Sequence, residues 1–322
     1  MNPLVSICVP IHNVASYIER CVRSLLEQTY PYVEWVFADD CSTDDSVSIL
    51  HSVLNDYSEC SERVTIIRND CNRGVAYTRR VCIEHAQGEY ILCVDSDDYI
   101  EPDTVQQLYE AVNSPDCDIV IGAYVCEKGE ERQIVKFSFL TEYDSLFPAL
   151  IENRIGNIWG NLIRRSLFSQ PSVRFAPDGQ DYMEDRTAML YLTDAARGFN
   201  VIDVPLYHYV QHKDSISNNK TDKHFRGLIC YWELADEYLA QHGLTEQYRA
   251  ITDREKLTDK VHLLHFCKDV SVCQRYANLY AEAEAHQPTL QLSGGKRLTR
   301  FLTNHHLWLI MHLYKWYMEL RS

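Results

Sequence analysis

The sequence predicts an α/β protein, with a mostly parallel sheet carrying helices on both faces and a C-terminal helical region after it. Three observations carry that prediction. Apolar runs of strand length alternate with helically periodic segments through the first half, the pattern of crossover-linked parallel strands. Two of those runs, Leu4–Pro10 and Tyr90–Val94, are almost continuously apolar, as strands buried on both faces are. Beyond about Thr221 strand formers thin out and long helical stretches take over.

Taken in order, Leu4–Pro10 reads as the first strand, and Ala15–Gln28 as a helix with Ile18, Cys21, Val22, Leu25 and Leu26 on one face. Tyr32–Ala38 is the second strand, followed by a helix from Thr43 to about Asn55. Val64–Arg68 is the third strand, Gly74–Ala86 the third helix and Tyr90–Val94 the fourth strand. A helix is expected to begin near Glu101-Pro102. Asp118–Tyr124 gives another strand, and Arg132–Leu140 a less regular β-element. A helix near Ser145–Glu152, a mixed stretch through Trp159, a helix from Asp185 to Ala196 and a strand pair, Val201–Val204 and Leu206–Val210, complete this part. The later helices break near Gly243, Pro288 and Gly294-Gly295. The expected division is residues 1–220 and 221–322.

Composition narrows the function. The 322 residues carry a net charge of −15, which argues against a nucleic-acid groove and makes a bound cation easier to understand than a bare anionic ligand. The 12 cysteines are scattered without a C-x-x-C pair, so they read as small buried hydrophobes in a reducing compartment. No apolar run reaches the roughly 18 residues of a spanning helix. The chain enters its first strand at once, without a visible secretory signal, so a cytoplasmic protein is expected.

The chemistry sits at the strand tips. The fourth strand ends in Asp95-Ser96-Asp97-Asp98, three carboxylates within four residues. Such charges repel unless a cation offsets them, and hard divalent cations take one or two carboxylates together with substrate phosphates. A solvated turn capping the next helix is the plainer alternative. The first strand ends in Pro10-Ile11-His12-Asn13 and the second in Asp39-Asp40-Cys41-Ser42-Thr43-Asp44, while Arg79 stands early in the third helix. Strand tips of a parallel sheet share one edge, so these groups converge there. Asp181, Glu184 and Asp185 offer further carboxylates at the start of a later helix. A helix N-terminus favours acids on its own account, which is their structural alternative.

These segments, with Ser24–Tyr30, Asn72-Arg73-Gly74, Gly88-Glu89-Tyr90 and Glu184-Asp185, resemble the family 2 glycosyltransferases over about residues 4–217. The resemblance implies a GT-A type, Rossmann-like fold and an inverting enzyme that uses a nucleotide-diphospho-sugar, most simply a UDP-sugar. It implies that Asp40 accepts a hydrogen bond from the base, with Pro10 and Asn13 shaping the pocket and Arg79 near the nucleotide or its diphosphate. Asp97 would contact Mn²⁺ or Mg²⁺, and Asp95 the ribose or the water shell of the metal. Asp185, second acid of the E-D pair, would be the general base. A helix cap is the alternative role for Asp40.

Four positions depart from the usual pattern. His12 stands where Tyr is common, Cys41 where Gly is, Asn161 where Lys is frequent, and Val210 where Arg is often found, although Ser215-Ile216-Ser217 matches. His208 and His212 are the candidates to replace the missing contact to metal or phosphate, against the alternative of packed histidines. The segment 298–320 includes a helix apolar almost all round, from Leu307 to Met318. It suits either an interfacial helix at the inner face of the cytoplasmic membrane, with Lys296, Arg297, Arg300 and Lys315 for anionic headgroups, or a docking face toward the core or a second subunit. The function expected is transfer of a hexosyl or N-acetylhexosaminyl group to a hydroxyl of a glycan or lipid-linked acceptor in cell-surface polysaccharide synthesis. A non-catalytic sugar-nucleotide-binding module is the alternative, and a two-carboxylate hydrolase is disfavoured by Asn13, Asp40 and Arg79.

Overall fold

A computed structural model describes residues 2–142, 145–212, 220–286 and 290–319. The chain separates into two compact units, one of residues 1–150, 155–180 and 184–212, the other of 151–154, 181–183 and 213–322.

The first unit is built on β1 (Val5–Ile11), buried along its whole length. After it come α1 (Ile18–Leu26), β2 (Val33–Asp39), α2 (Ser46–Asp56), β3 (Val64–Arg68), α3 (Val75–His85) and β4 (Tyr90–Cys93). β1 lies between β2 and β4, parallel to both, and β3 adds to β2 in the same sense. Val5, Ile7, Val9 and Ile11 share a core with Ile18, Cys21, Val22 and Leu25 of α1. Cys8, pointing the other way, lies close to Cys82 of α3. Both faces of β1 are therefore covered, the reason its sequence is apolar without alternation.

The unit continues with β5 (Tyr99–Ile100), α4 (Thr104–Glu110), β6 (Ile119–Lys128), β7 (Glu131–Val135), α5 (Leu146–Ile151), β8 (Leu162–Arg164), α6 (Arg165–Phe168), α7 (Glu184–Ala195) and β9 (Phe199–Val210). The sheet runs β3-β2-β1-β4-β8-β6-β9-β5, with β7 on β6. β8 is antiparallel to β4 and to β6, while β6 and β9 are parallel. A parallel half thus presents the tips of β1, β2 and β4 on one edge, and a mixed half extends it.

Several elements differ from the sequence pattern for local reasons. The expected strand pair is one strand, β9, whose break at Pro205 survives as a register irregularity opposite Gly122–Tyr124. Proline lacks the N–H that a regular ladder needs there. α2 begins at Ser46 instead of Thr43, because Asp44 accepts from the Ser46 N–H at 3.0 Å and Asn13 holds Thr43 and Asp44 in the preceding loop. β7 ends at Val135 because Phe137–Leu140 closes a turn. β8, three residues long, is too short to leave a periodic signal.

The second unit carries α8 (Asp222–Gln241), α9 (Thr245–Phe266), α10 (Val270–Arg275), α11 (Ala281–His286), α12 (Gly294–Asn304) and α13 (Trp308–Glu319). Breaks fall near Gly243, at φ 69°, and before Gly294 as expected, while Pro288 lies outside the described residues. Phe225, Leu228, Trp232, Leu257, Val261 and Leu264 are buried in it. α13 is two-faced: Met311 is fully buried with Val270 and Leu302, whereas Leu309 is 77% and Trp316 61% exposed. The basic residues expected to face headgroups are mostly otherwise engaged. Lys315 is buried and donates to the carbonyls of Leu264 and His265 at the end of α9, the favourable place for a cation on a helix. Arg300 pairs with Glu284, and Lys296 donates to His262. Arg297 is exposed. The expectation that Lys315 serves a membrane surface is therefore corrected. Among the described residues no helix is long and apolar enough to cross a membrane.

Candidate active site

The tip of β2 places Asp40 against the start of α3. Asp40 Oδ1 accepts from Asn69 Nδ2 at 2.7 Å and from the Arg73 N–H at 2.8 Å; Oδ2 accepts from the Gly74 N–H at 2.7 Å. Gly74 takes φ 87°, a left-handed conformation in which glycine escapes the steric cost of a side chain. A carboxylate offers about four lone-pair directions, so three donors leave Oδ2 able to accept one more. Asp40 thus fastens the loop that leads into α3, up to its N-cap Gly74, and retains capacity for a ligand.

The loop around it is pinned by the tip of β1. Asn13, at φ 52°, accepts at Oδ1 from the N–H groups of Thr43 at 2.8 Å and Asp44 at 3.4 Å, and Ser42 Oγ accepts from the Asn13 N–H at 3.1 Å. Pro10 is buried at the end of the strand. His12 Nδ1 lies 2.8 Å from the Asp40 carbonyl, which can only accept, so the ring proton is on Nδ1. Nε2 then accepts from Asn72 at 2.9 Å and Asn13 at 3.1 Å. Cys41 adopts φ 61°, a left-handed conformation that a glycine would take without steric cost.

The tip of β4 is joined to α7 by one arginine. Arg79 is 4% exposed; its Nη1 lies 2.9 Å from Asp95 Oδ1, and its Nη2 lies 3.3 Å from both Glu184 Oε1 and Asp185 Oδ1. Burial alone would lower the guanidinium, but the charges of Asp95, Asp185 and Glu184 outweigh it and hold Arg79 firmly protonated. Burial pushes both Glu184 and Asp185 above the usual carboxylate range, and for Glu184 the neighbouring Asp185 adds to it. Asp185 Oδ1 is buried without a hydrogen-bond donor despite its ionic contact to Arg79. Met183, just before α7, takes φ 67°, a costly conformation for a side-chain-bearing residue. Asp181 is not among these acids: it belongs to the second unit, where it accepts from Lys223 at 2.5 Å.

The two remaining acids of the tip have separate environments. Asp97 Oδ2 lies 2.7 Å from His212 Nε2, and the His212 ring stacks on Tyr17 at 4.3 Å. Burial first, then the Asp95 charge, raise Asp97, with His212 opposing them. Asp98 is 1% exposed and accepts from Tyr207 Oη at 2.6 Å and from the Val210 N–H at 2.7 Å, fastening the acidic loop to β9. His208 is placed elsewhere: its ring nitrogens lie 2.8 Å from Glu101 and 3.1 Å from Glu127, and the ring stacks on Tyr99. Asn161 is buried, accepting from the Gly122 N–H and donating to the Asn157 carbonyl. Ser215-Ile216-Ser217 lies outside the described residues. Sequence reasoning missed Asn69 and Tyr207; an asparagine straight after a strand and a tyrosine in Tyr207-His208-Tyr209 were the available signals.

Residues 6–174 match the model of the glycosyl transferase family 2. EpsH of Bacillus subtilis is 30% identical over 259 residues, 78% of this chain and 74% of that protein. The chain belongs to glycosyl transferase family 2. GlyG of Streptococcus pneumoniae, also a glycosyltransferase, is 30% identical over 69% of this chain and 75% of its own length. Among solved structures, TarS of Staphylococcus aureus in complex with UDP-GlcNAc superposes with a TM-score of 0.62 at 16% identity, covering 94% of this chain and 92% of that one. The mannosyltransferase PcManGT of Pyrobaculum calidifontis, in complex with GDP-Man and Mn²⁺, gives 0.55 at 18% identity over 97% and 88%. The fold of this family 2 enzyme is accordingly GT-A.

Proposed function

We propose that this glycosyltransferase is inverting and depends on a divalent cation. It transfers a hexose-type sugar from a UDP-sugar to a hydroxyl of a glycan or lipid-linked acceptor, in the synthesis of a cell-surface polysaccharide. The observation that carries this reading is the Arg79 bridge, which gathers the donor-side acid Asp95 and the α7 acids Glu184 and Asp185 around one buried cation. A binding module without turnover would have no need of the second pair.

Asp40, with one acceptor direction left on Oδ2, supports recognition of an N–H donor on the base, such as that of uracil. The donor set at the β4 tip fits a hard cation. Asp97 and His212 would hold it, and Asp95 would meet the ribose or the water shell of the metal. Among the described residues no three His, Cys, Asp or Glu side chains form a metal cage, so substrate phosphates and water would have to supply the other ligands. When bound, such a cation neutralises the departing diphosphate. Asp185 would take the proton of the acceptor hydroxyl: burial raises its basicity against the opposing charge of Arg79, 3.3 Å from Oδ1. Glu184 shares Arg79 with it and holds its orientation.

The acceptor class draws on relatives such as TuaG of Bacillus subtilis, named for teichuronic acid biosynthesis, and on the exposed apolar face of α13. We assign that face to contact with a membrane surface, since exposed Trp316 and Tyr317 suit the headgroup region; a homodimer contact is the other outcome. A thermal-shift panel of nucleotide-sugars with and without Mn²⁺ tests the donor. UDP-sugars should raise the melting temperature in Mn²⁺ more than GDP- or dTDP-sugars do. A larger shift with another base would overturn the uracil reading and leave the family untouched.

A further inference from the structure

Outside the acidic cleft, the second unit gathers several basic groups, of which Lys220 and Lys296 have no carboxylate within ion-pair reach among the described residues. Lys220 is 5% exposed, its ammonium rests 4.6 Å from the Tyr182 ring centroid, and among the described residues no carboxylate lies within ion-pair reach. Lys260, equally buried, has Glu284 at 3.9 Å. His262 stands close enough to Lys220 to feel its charge, and Lys296 Nζ lies 3.1 Å from His262 Nδ1. An ammonium can only donate, so Nδ1 accepts and the ring proton sits on Nε2, a further donor. Lys296 is the third residue of α12, whose Ser293 side chain makes no capping bond, and a side chain at Gly294 would meet nothing within 4 Å. A side chain at Gly295 would instead press on His265 and Tyr314, so the open space lies at the first residue of the helix, where its leading N–H groups have no intrahelical partner.

A buried ammonium without a counter-charge is expensive to fold around. Burial pulls Lys220 down to about 8, and burial together with Lys296 and Lys220 pushes His262 down to about 4. In a chain with 46 acidic and 31 basic residues, a basic cluster left uncompensated needs an explanation.

We propose that Lys220, His262, Lys296 and the N-terminus of α12 bind a phosphate or diphosphate group carried by a lipid. Lysine suits phosphate as a point charge, and a helix N-terminus adds aligned N–H donors. The lipid follows from the same helix: Leu298 and Phe301, within five residues of Lys296, are 41% and 52% exposed, and Leu309 and Leu313 of α13 extend the apolar surface. The lipid choice rests on the acceptor class proposed above. The phosphate choice does not.

The test is calorimetry of the full chain with inorganic pyrophosphate in EDTA, where no cation can bridge the ligand to the acidic tip. Wild type should bind one pyrophosphate, and Lys296→Gln and Lys220→Met should each weaken it by about tenfold or more. Lys220→Met should melt no lower than wild type without ligand, because an unpaired buried charge is gone. Absence of binding to wild type, or unchanged affinity in both variants, overturns the site. Sedimentation with phosphatidylcholine vesicles of matched negative charge separates the lipid sources. Retention favouring polyprenyl diphosphate identifies the acceptor, and equal retention with phosphatidylglycerol identifies a general headgroup. Retention that survives both substitutions together overturns the lipid assignment. UDP binding in Mn²⁺ should be unchanged in both variants; its loss there would overturn a phosphate site separate from the nucleotide site, whereas absence of UDP binding to wild type counts against the transferase reading alone.

Discussion

Replacing Arg79 by methionine should destabilise the first unit in a pH-dependent way. The methionine roughly keeps the buried aliphatic volume but leaves Asp95, Glu184 and Asp185 facing one another without their cation. Breaking a buried ion pair from one side costs about 3–5 kcal/mol, which corresponds to a fall of about 6–20 °C in melting temperature for a unit of this size. Glu184 and Asp185 already titrate above their unfolded values in the folded protein. The stability linked to their protonated forms is therefore present below the unfolded carboxylate range and is lost as pH rises through the folded values. Without Arg79 those folded values climb further, so the penalty of the variant should widen from pH 5 to pH 8. Thermal melts of both proteins at the two pH values measure it. Equal penalties at both, or a loss below about 1 kcal/mol, would refute the claim that Arg79 holds these acids together.

Asp185→Asn should lower turnover by about 10²–10⁴-fold while leaving the calorimetric affinity for UDP-sugar intact; parallel loss of both would make Asp185 a binding residue. Asp40→Ala should cost about 1–3 kcal/mol of UDP affinity, and it should also lower the melting temperature because Asn69, Arg73 and Gly74 lose their acceptor. Cys41→Gly should stabilise by up to about 1 kcal/mol in urea unfolding, since relief of the left-handed strain exceeds the added chain entropy only slightly. Leu309→Glu with Trp316→Glu should abolish flotation with anionic liposomes without lowering the melting temperature, as both side chains are exposed. Deleting the segment instead would remove Met311 and Lys315 from the core of the second unit.

The parallel half of the sheet was legible because β1 and β4 are buried on both faces and so are apolar without alternation. The strand tips were legible for the same reason, since carboxylates such as Asp40 and Asp97 end an apolar run abruptly. β8 was not, because three residues show no period, and it is held only by ladders to β4 and β6 that lie far away in sequence. The Arg79 hub was also hidden. Its position early in α3 was evident, but nothing local says that the charge faces α7. His208 and His212 look alike in sequence, two positions of β9 and its exit. The structure separates them by partner, Glu101 and Glu127 for one and Asp97 for the other.

The central claim is that the acidic tip of β4 binds a nucleotide diphosphate through a divalent cation held by Asp97. Isothermal titration of UDP into wild type and Asp97→Ala, each in Mn²⁺ and in EDTA, tests it most directly. Tight binding is expected to wild type in Mn²⁺ alone, and the same weak binding in the other three conditions. Binding of UDP that is indifferent to Mn²⁺, or equally tight in Asp97→Ala with Mn²⁺ present, would contradict it.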